Sequence, residues 1–577
     1  MTATQDPPLQ VLRTPPQLVV DALLAHGVDL FFGLDGDHVI PLYDALSEAP
    51  QLRPITVKHE NNAAIAAEVY ARLTGRPGVC ITTAGPGATN ALSGIAGAYA
   101  AGVPVVHISG GVPQGAPKED FHGVDDTDFL QRAFAPVTKW SVRVEDPRDI
   151  PATIDRAFAI ALSGRPGPVH VEFALSAFRA DPVEASPPNP QSAIGYPPQR
   201  VNPQYGDLAS LIARIDRAGR IAIVAGKGAW WPVVSAPMVR LAERLGAPVA
   251  HTWDGQAAMP TVHPLSIGPW GPSTGSHPFA AAAIDEADLV LGIGVRAGTG
   301  PARDLIAVAG DRVLLLNATD GPTGDAAEGF CAGSLAALAA ALGELAEGCE
   351  PNEADAATLA RCERARHLLR RGLDIEMERH GAARPWHIGL ALDALGRQMT
   401  PATVVIGEVS NVKLWMPVQL PVFTPLSHLQ PGSWGAMGYA IPGALAAGLV
   451  FPDRPVVALT GDTSFLMGSS DFATICELKL KVVIAVHADG QIGMINNAMT
   501  MAYGRAYATE IGRVDFVKYA EAFGARGIRV ADPADLDAAW AAALSADGPV
   551  LLELQAGYEF PRPWPVARLV AQAEAEG

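Results

Sequence analysis

Gly461-Asp462-Thr463-Ser464-Phe465, followed one helix and one strand later by His487-Ala488-Asp489-Gly490-Gln491-Ile492-Gly493-Met494, decides how this chain is read. The first run leaves an apolar stretch, Val456-Val457-Ala458-Leu459, which reads as a strand ending in a tight acidic turn. A helix is expected from Ser470 to Leu478, a second apolar strand from Val482 to Val486, and then a second acidic turn. That is a βαβ unit with both carboxylates at the carboxyl ends of parallel strands, where open α/β sheets bind ligands. Two acidic oxygens there suit a hard Mg²⁺ or Ca²⁺ ion that shares its remaining positions with a diphosphate. Taken alone, the same residues also read as two turn aspartates that cap helices.

The arrangement resembles the thiamine diphosphate motif of the acetohydroxyacid synthase-like family, Gly-Asp-Gly, a gap of this length, then Asn-Asn. Here Thr463 stands for the second glycine and Ala488-Asp489 for the Asn pair. The resemblance implies that the side chains of Asp462 and Asp489 and the carbonyl of Gln491 hold Mg²⁺. It implies diphosphate contacts at Val409, Ser410, Asn411, Thr463, Ser464, Ile492, Gly493 and Met494. A carboxylate in place of an amide adds negative charge beside the diphosphate, so the ion has more repulsion to offset. Thr463 keeps the backbone N–H and adds a hydroxyl that can donate.

Further matches lie far from these turns. Val57-Lys58-His59-Glu60-Asn61-Asn62 leads into an Ala-rich helix, and an apolar strand (Gly78 to Thr82) enters Thr83-Ala84-Gly85-Pro86-Gly87-Ala88-Thr89-Asn90. A lone Glu at a helix start is ordinarily a charge matched to the helix dipole. In the family this Glu contacts the aminopyrimidine of the cofactor and shifts its tautomer, so that the ring's exocyclic nitrogen becomes a base. Glu60 takes that role by resemblance, with Pro86 and Asn90 backing the pocket. In Gly435-Ala436-Met437-Gly438, Gly435 and Met437 would bind the pyrimidine edge, and Met437 would support the bent cofactor. The resemblance spans residues 15 to 560.

The residues expected to face the substrate depart from a synthase. In Phe32-Gly33-Leu34-Asp35-Gly36-Asp37-His38, Asp37 and His38 replace small residues, and a His there resembles benzaldehyde lyase and related cleaving enzymes. An imidazole that titrates near neutrality suits proton transfer to and from hydroxyl and carbonyl oxygens. Asp125 replaces a synthase glutamine, with His122 close in sequence. Ala498 stands where a synthase has its discriminating tryptophan, and Gly294-Val295-Arg296-Ala297-Gly298-Thr299-Gly300 stands where it has a carboxylate-binding arginine. That run, and Leu314-Leu315-Leu316-Asn317 in place of an acidic strand end, argue against FAD. The reading is an enzyme dependent on thiamine diphosphate and Mg²⁺ that makes or breaks a C–C bond beside a carbonyl: a 2-oxo acid decarboxylase or carboligase, or an acyloin lyase. Acetolactate synthase proper and a non-catalytic homologue are the alternatives.

Composition agrees. The 577 residues, 49% apolar, suffice for several domains. We expect three doubly wound α/β domains with parallel sheets at residues 15–182, 205–346 and 372–563. A Pro-rich linker at 181–204 and a charged stretch from Glu347 to Arg371 separate them. A net charge of −18 opposes nucleic acid and anionic membranes as partners. The expected partners are a small-molecule substrate and further copies of the chain, as a homodimer or homotetramer with active sites between subunits. Five scattered cysteines without metal spacing, and an N-terminus without a signal-peptide pattern, lead us to expect a cytoplasmic protein.

Overall fold

A computed structural model describes residues 11–115, 121–185, 188–189, 208–271, 275–318, 328–352, 354–557 and 566–576. By internal contacts it falls into two compact units. The first takes in the described residues of 1–197 with 431–450 and 468–478; the second takes in those of 198–430 with 451–467 and 479–577. Three domains built on six-stranded parallel sheets are present among the described residues, one such sheet in the first unit and two in the second. Most of the Pro-rich stretch 181–204 lies outside the described residues.

In the first unit the strands run, edge to edge, Arg53–Thr56, Leu30–Gly33, Gly78–Thr82, Val105–Gly111, Val169–Ala174 and Ser141–Val144. Numbered along the chain, this is the order 2-1-3-4-6-5. The last sheet of the second unit repeats it with His428–Leu429, Val404–Gly407, Val456–Gly461, Val482–His487, Val550–Leu554 and Arg526–Val530. The central sheet has the order 3-2-1-4-5-6, and its direction reverses between Ile221–Ala225 and Leu289–Ile293. In the other two sheets the reversal falls between Leu30–Gly33 and Gly78–Thr82, and between Val404–Gly407 and Val456–Gly461. Diverging loops open a crevice at such points, so they mark where ligands bind.

Local chemistry sets the elements that flank these crevices. The helix Glu60–Thr74 is capped by the His59 ring, which accepts from the Asn61 N–H, and it ends at Gly75 with φ 72°. Pro86 opens the next helix at its first turn, and Gly102 closes it at φ 71°. The acidic turn expected after Leu459 is instead a helix that begins at Asp462 and runs to Gly468; a second helix covers Phe472–Glu477. Phe465, fully buried against Phe516 and Tyr519, draws these residues inward into helical geometry. The charged stretch after Glu347 is helical over Ala356–His380; its Cys362 and Ala365 join the central core, and its Leu368 and Leu373 join the last.

One face of the first sheet is the apolar core, with Val79, Ile81, Val106, Ile108, Val169, Val171 and Phe173. The opposite face is polar and also buried. Cys80, His107, His170 and Ser141 stand in register across four strands, with Thr82, Ser109, Glu172 and Arg143 one pleat on. Buried polar groups are tolerated when hydrogen-bonded. Thr82 Oγ1 meets His107 Nε2 at 3.0 Å, and Ser109 Oγ and Ser141 Oγ each meet a ring nitrogen of His170 at 2.9 Å. Burial holds His107 down to about 3 and His170 well below its ordinary 6.5. The unfolded chain takes up these protons near 6.5 and the folded chain does not, so their stabilisation is complete above that pH and is lost below it. We expect the first unit to lose about 2 kcal/mol through His107 between pH 6.5 and about 5, with His170 acting in the same direction. Melting curves across that range should fall less steeply for His107→Gln; an unchanged slope would contradict this account.

Candidate active site

Two clusters form at two of the three reversal points. In the second unit, parallel pairing aligns Gly407 with Leu459 and Gly461 with His487, so the turns after Val404–Gly407, Val456–Gly461 and Val482–His487 lie side by side. Gly461 suits this closeness, because a Cβ there would sit 3.1 Å from that of Ser410, which would have to shift by a few tenths of an ångström. Asp462, 4% exposed, links two of the turns: Oδ1 accepts from the Thr463 N–H and Oδ2 from the Gly490 N–H, both at 2.7 Å. Asp489 Oδ1 accepts from the Gln491 N–H at 3.0 Å, and Oδ2 lies 3.8 Å from His487 Nε2. Ser464 Oγ donates to the Val409 carbonyl at 2.9 Å.

Burial and then the neighbouring Asp489 push Asp462 up to about 6, and burial pushes Asp489 up as well. Neither carboxylate has a Lys or Arg ion pair among the described residues. Each oxygen that takes a backbone bond keeps a lone pair, so the pair can ligate a hard cation that relieves their repulsion. The buried Ser410 hydroxyl makes no hydrogen bond among the described residues, as expected of a group that awaits an anionic oxygen. Asn411 and Gly493 open the helices Asn411–Gln419 and Gly493–Tyr503, and N–H groups in a first helical turn suit phosphate. Ile492 caps the latter helix and spends its own N–H on the Thr509 carbonyl at 2.7 Å, while Met494 packs on the core. Ser410, Asn411 and Gly493 fit a metal-bound diphosphate, whereas the N–H groups of Val409, Thr463 and Ile492 already donate to Glu408 Oε1, Asp462 Oδ1 and the Thr509 carbonyl.

In the first unit, Glu60 is 8% exposed and Oε2 accepts from Asn90 Nδ2 at 3.0 Å. A Cβ on Gly87 would sit 3.2 Å from Glu60 Oε1 and 2.7 Å from Thr83 Cγ2, so glycine keeps that side of the carboxylate clear. Thr83 continues the cluster, with Oγ1 3.4 Å from the His38 N–H and its side chain pressed on Gly36. His38 is 3% exposed and stacks on His122 with ring centroids 5.2 Å apart. His122 has φ 64°, a left-handed backbone uncommon for a residue with a side chain. Its carbonyl abuts Gly85, itself at φ 54°. The structure thus gathers Glu60, Asn90, Gly87, Thr83, His38 and His122 where the first sheet reverses.

Other expected residues stand apart from this group. Asp37, Asp125 and Pro86 are exposed. Gly435 and Met437 are half-buried in the first unit, on a loop tied to its helices by Tyr439 Oη donating to Glu68 Oε2 at 2.7 Å and by Trp434 Nε1 donating to Ser93 Oγ at 3.3 Å. Asp462 and Asp489 fall in the second unit. Thr83 was not singled out from the sequence; a β-branched hydroxyl between an apolar strand and the Gly85-Pro86-Gly87 turn was the available signal.

Three family models match in chain order. They are thiamine pyrophosphate enzyme, N-terminal TPP binding domain, over residues 14–131; central domain, over 208–315; and C-terminal TPP binding domain, over 408–554. A probable acetolactate synthase large subunit of Methanocaldococcus jannaschii is 31% identical over 93% of this chain and 91% of its own length. The acetolactate synthase large subunit of Parasynechococcus marenigrum is 32% identical over 93% of this chain and 86% of its own. That of Mycobacterium tuberculosis is 30% identical over 96% and 89%. The site and these matches define a thiamine diphosphate-dependent enzyme of the carboligase and decarboxylase type. The chain belongs to the acetohydroxyacid synthase-like family of such enzymes.

Asp462 both bridges two turns and carries lone pairs for an ion, whereas Asp489→Asn would keep an acceptor for the Gln491 N–H and remove one of two repelling charges. We expect Asp462→Ala to weaken thiamine diphosphate binding about a hundredfold or more, and Asp489→Asn to be tolerated. Calorimetric titration of the cofactor into both variants measures this. A severe loss in Asp489→Asn would give its carboxylate a different role.

Proposed function

We propose that this chain is a thiamine diphosphate- and Mg²⁺-dependent enzyme that makes or breaks a C–C bond next to a carbonyl, acting on a 2-oxo acid or an α-hydroxy ketone. The observation that carries this reading is the clustering of a buried carboxylate, Glu60, with a buried imidazole, His38, around Thr83. In this reading the functional domains are residues 15–182, 205–346 and 372–563.

Asp462, Asp489 and the Gln491 carbonyl would hold the ion. Ser410, Asn411 and Gly493 would hold the diphosphate, and Val409, Thr463, Ser464, Ile492 and Met494 would border it. Gly435, Met437, Pro86 and Asn90 would border the pyrimidine. When bound, the cofactor supplies an electron sink for the pair released as the C–C bond breaks. Glu60, with Oε2 already fixed by Asn90, offers Oε1 to hold a proton at the pyrimidine edge. His38, fixed through its backbone by Thr83 and through its ring by His122, takes a substrate hydroxyl proton during cleavage and returns it in ligation. Asp37 and Asp125, on the exposed rim, would tune which substrates enter.

The names of the relatives favour acetolactate synthase as a second reading. Ala498 and Gly300, in place of the residues that a synthase uses to choose and hold its second 2-oxo acid, oppose it. FAD has no part in the proposed reaction: Asn317, at the strand end where an acidic residue would mark its site, donates its amide to the Val295 carbonyl at 2.9 Å. Assembly as a homodimer or homotetramer, with sites completed between copies, is supported by the apolar residues behind the diphosphate turn. Ile495 is 51% exposed, Met501 77% and Tyr507 83%, more than a lone chain ordinarily leaves bare in one stretch. Five unbridged cysteines suit a reducing cytoplasm.

The purified protein, given thiamine diphosphate, Mg²⁺ and a panel of 2-oxo acids, acyloins and aldehydes, should release CO₂ or carbonyl products from at least one class. On the best substrate His38→Ala should lower turnover about 10²–10⁴-fold with cofactor affinity retained. Full activity in that variant would refute the lyase-like role. Sedimentation of the active enzyme as a monomer would refute the shared site.

A further inference from the structure

Glu60 opens its helix directly after an extended residue, His59 at φ −159°, so its side chain is aimed by the backbone from Lys58 to Asn62. Both ends of that segment are held by one carboxylate. Asp471 Oδ1 accepts from the Lys58 N–H at 2.9 Å, and Oδ2 accepts from Asn62 Nδ2 at 2.6 Å. These anchors lie two residues before Glu60 and two after it. Asp471 is fully buried in the same compact unit, although 413 residues separate it from Lys58. Thr474 Oγ1 donates its one proton to Asp471 Oδ1 at 2.9 Å, with the Thr56 carbonyl of the entering strand 3.2 Å away. Asn62, 1% exposed, also points its amide at Ser470 Oγ at 3.2 Å and the Gly468 carbonyl at 3.4 Å.

A buried carboxylate is costly unless donors surround it, and charge-assisted bonds of this kind are stronger and more directional than neutral ones. A charge spent on both flanks of Glu60 therefore restricts the one segment whose orientation sets where the Glu60 oxygens lie. Displacing a catalytic group by about 1 Å costs on the order of 10²-fold in rate, so such a clamp bears on chemistry as well as stability.

We propose that Asp471 is a positioning residue for Glu60, clamping residues 58–62 so that the Glu60 carboxylate meets the pyrimidine ring in register. The proposal rests on the assignment of Glu60 to the cofactor, and its test separates the two. In Asp471→Asn, Oδ1 still serves the Lys58 N–H, but an NH₂ faces the NH₂ of Asn62 and the second anchor is lost. Adding Asn62→Asp swaps donor and acceptor and restores it.

Two measurements follow on Glu60→Gln, Asp471→Asn and the Asp471→Asn/Asn62→Asp double variant. The first is hydrogen–deuterium exchange of backbone amides 57–63 in the cofactor-free protein. The second is exchange of the C2 proton of bound thiamine diphosphate with Mg²⁺, by NMR of quenched samples. We expect Asp471→Asn to lose amide protection at 57–63 and to slow C2 exchange about tenfold or more, while its affinity for thiamine diphosphate stays within about threefold. The double variant should recover both. Wild-type C2 exchange in Asp471→Asn, with slow exchange in Glu60→Gln, would overturn the clamp alone. Wild-type exchange in Glu60→Gln would overturn the Glu60 assignment, and the clamp with it. If Asp471→Asn does not fold, the folded double variant decides: recovery supports the clamp, and slow C2 exchange overturns it.

Discussion

A carboxylate taken out of water must be solvated by the protein that buries it, and that constraint organises both clusters described above. Asp462 and Asp489 are solvated by backbone N–H groups of Thr463, Gly490 and Gln491, and Glu60 by the amide of Asn90. Asp471 draws on a backbone N–H, an amide and a hydroxyl. Parallel sheets meet this demand cheaply at their carboxyl ends, where strands stop and helices begin with unpaired N–H groups. The glycines follow from the same need. Gly461 lets the Ser410 turn approach, and Gly87 leaves Glu60 Oε1 clear.

The two clusters of buried acids sit in the two sheets that share a strand order. The first and last sheets reverse direction at equivalent places, and each puts its buried acids there. The central sheet fills its reversal point with backbone: Gly226 and Gly228 lie against Gly294 so closely that a Cβ on any of them would collide with the opposing chain. A crevice closed by glycine packing suits a domain that connects and supports.

The βαβ order around Asp462 and Asp489 and the helix that Glu60 opens were legible in the sequence because each strand and helix lies adjacent along the chain. The parallel sheets were legible for the same reason: runs such as Val456 to Leu459 and Val482 to Val486 announce buried strands. Three features were not. The helix starting at Asp462 depends on Phe465 meeting Phe516 and Tyr519, a packing choice that local propensity does not encode. The His38–His122 stack needs a left-handed backbone at His122, which nothing in its neighbours announces. Asp471 read as an ordinary residue at a helix start, since its partners Lys58 and Asn62 lie at the other end of the chain. Asp37 and Asp125, taken as site residues by resemblance, are exposed, a property that their place in the motif does not encode.

The central claim is that buried carboxylates at the end of the last sheet bind thiamine diphosphate through a divalent cation. Calorimetric titration of thiamine diphosphate into the full-length protein, with Mg²⁺ and then with the metal chelated, tests it most directly. The account predicts saturable binding with Mg²⁺ and its loss on chelation, because two buried carboxylates then face the diphosphate with no charge between them. Equal affinity in the two conditions would contradict it.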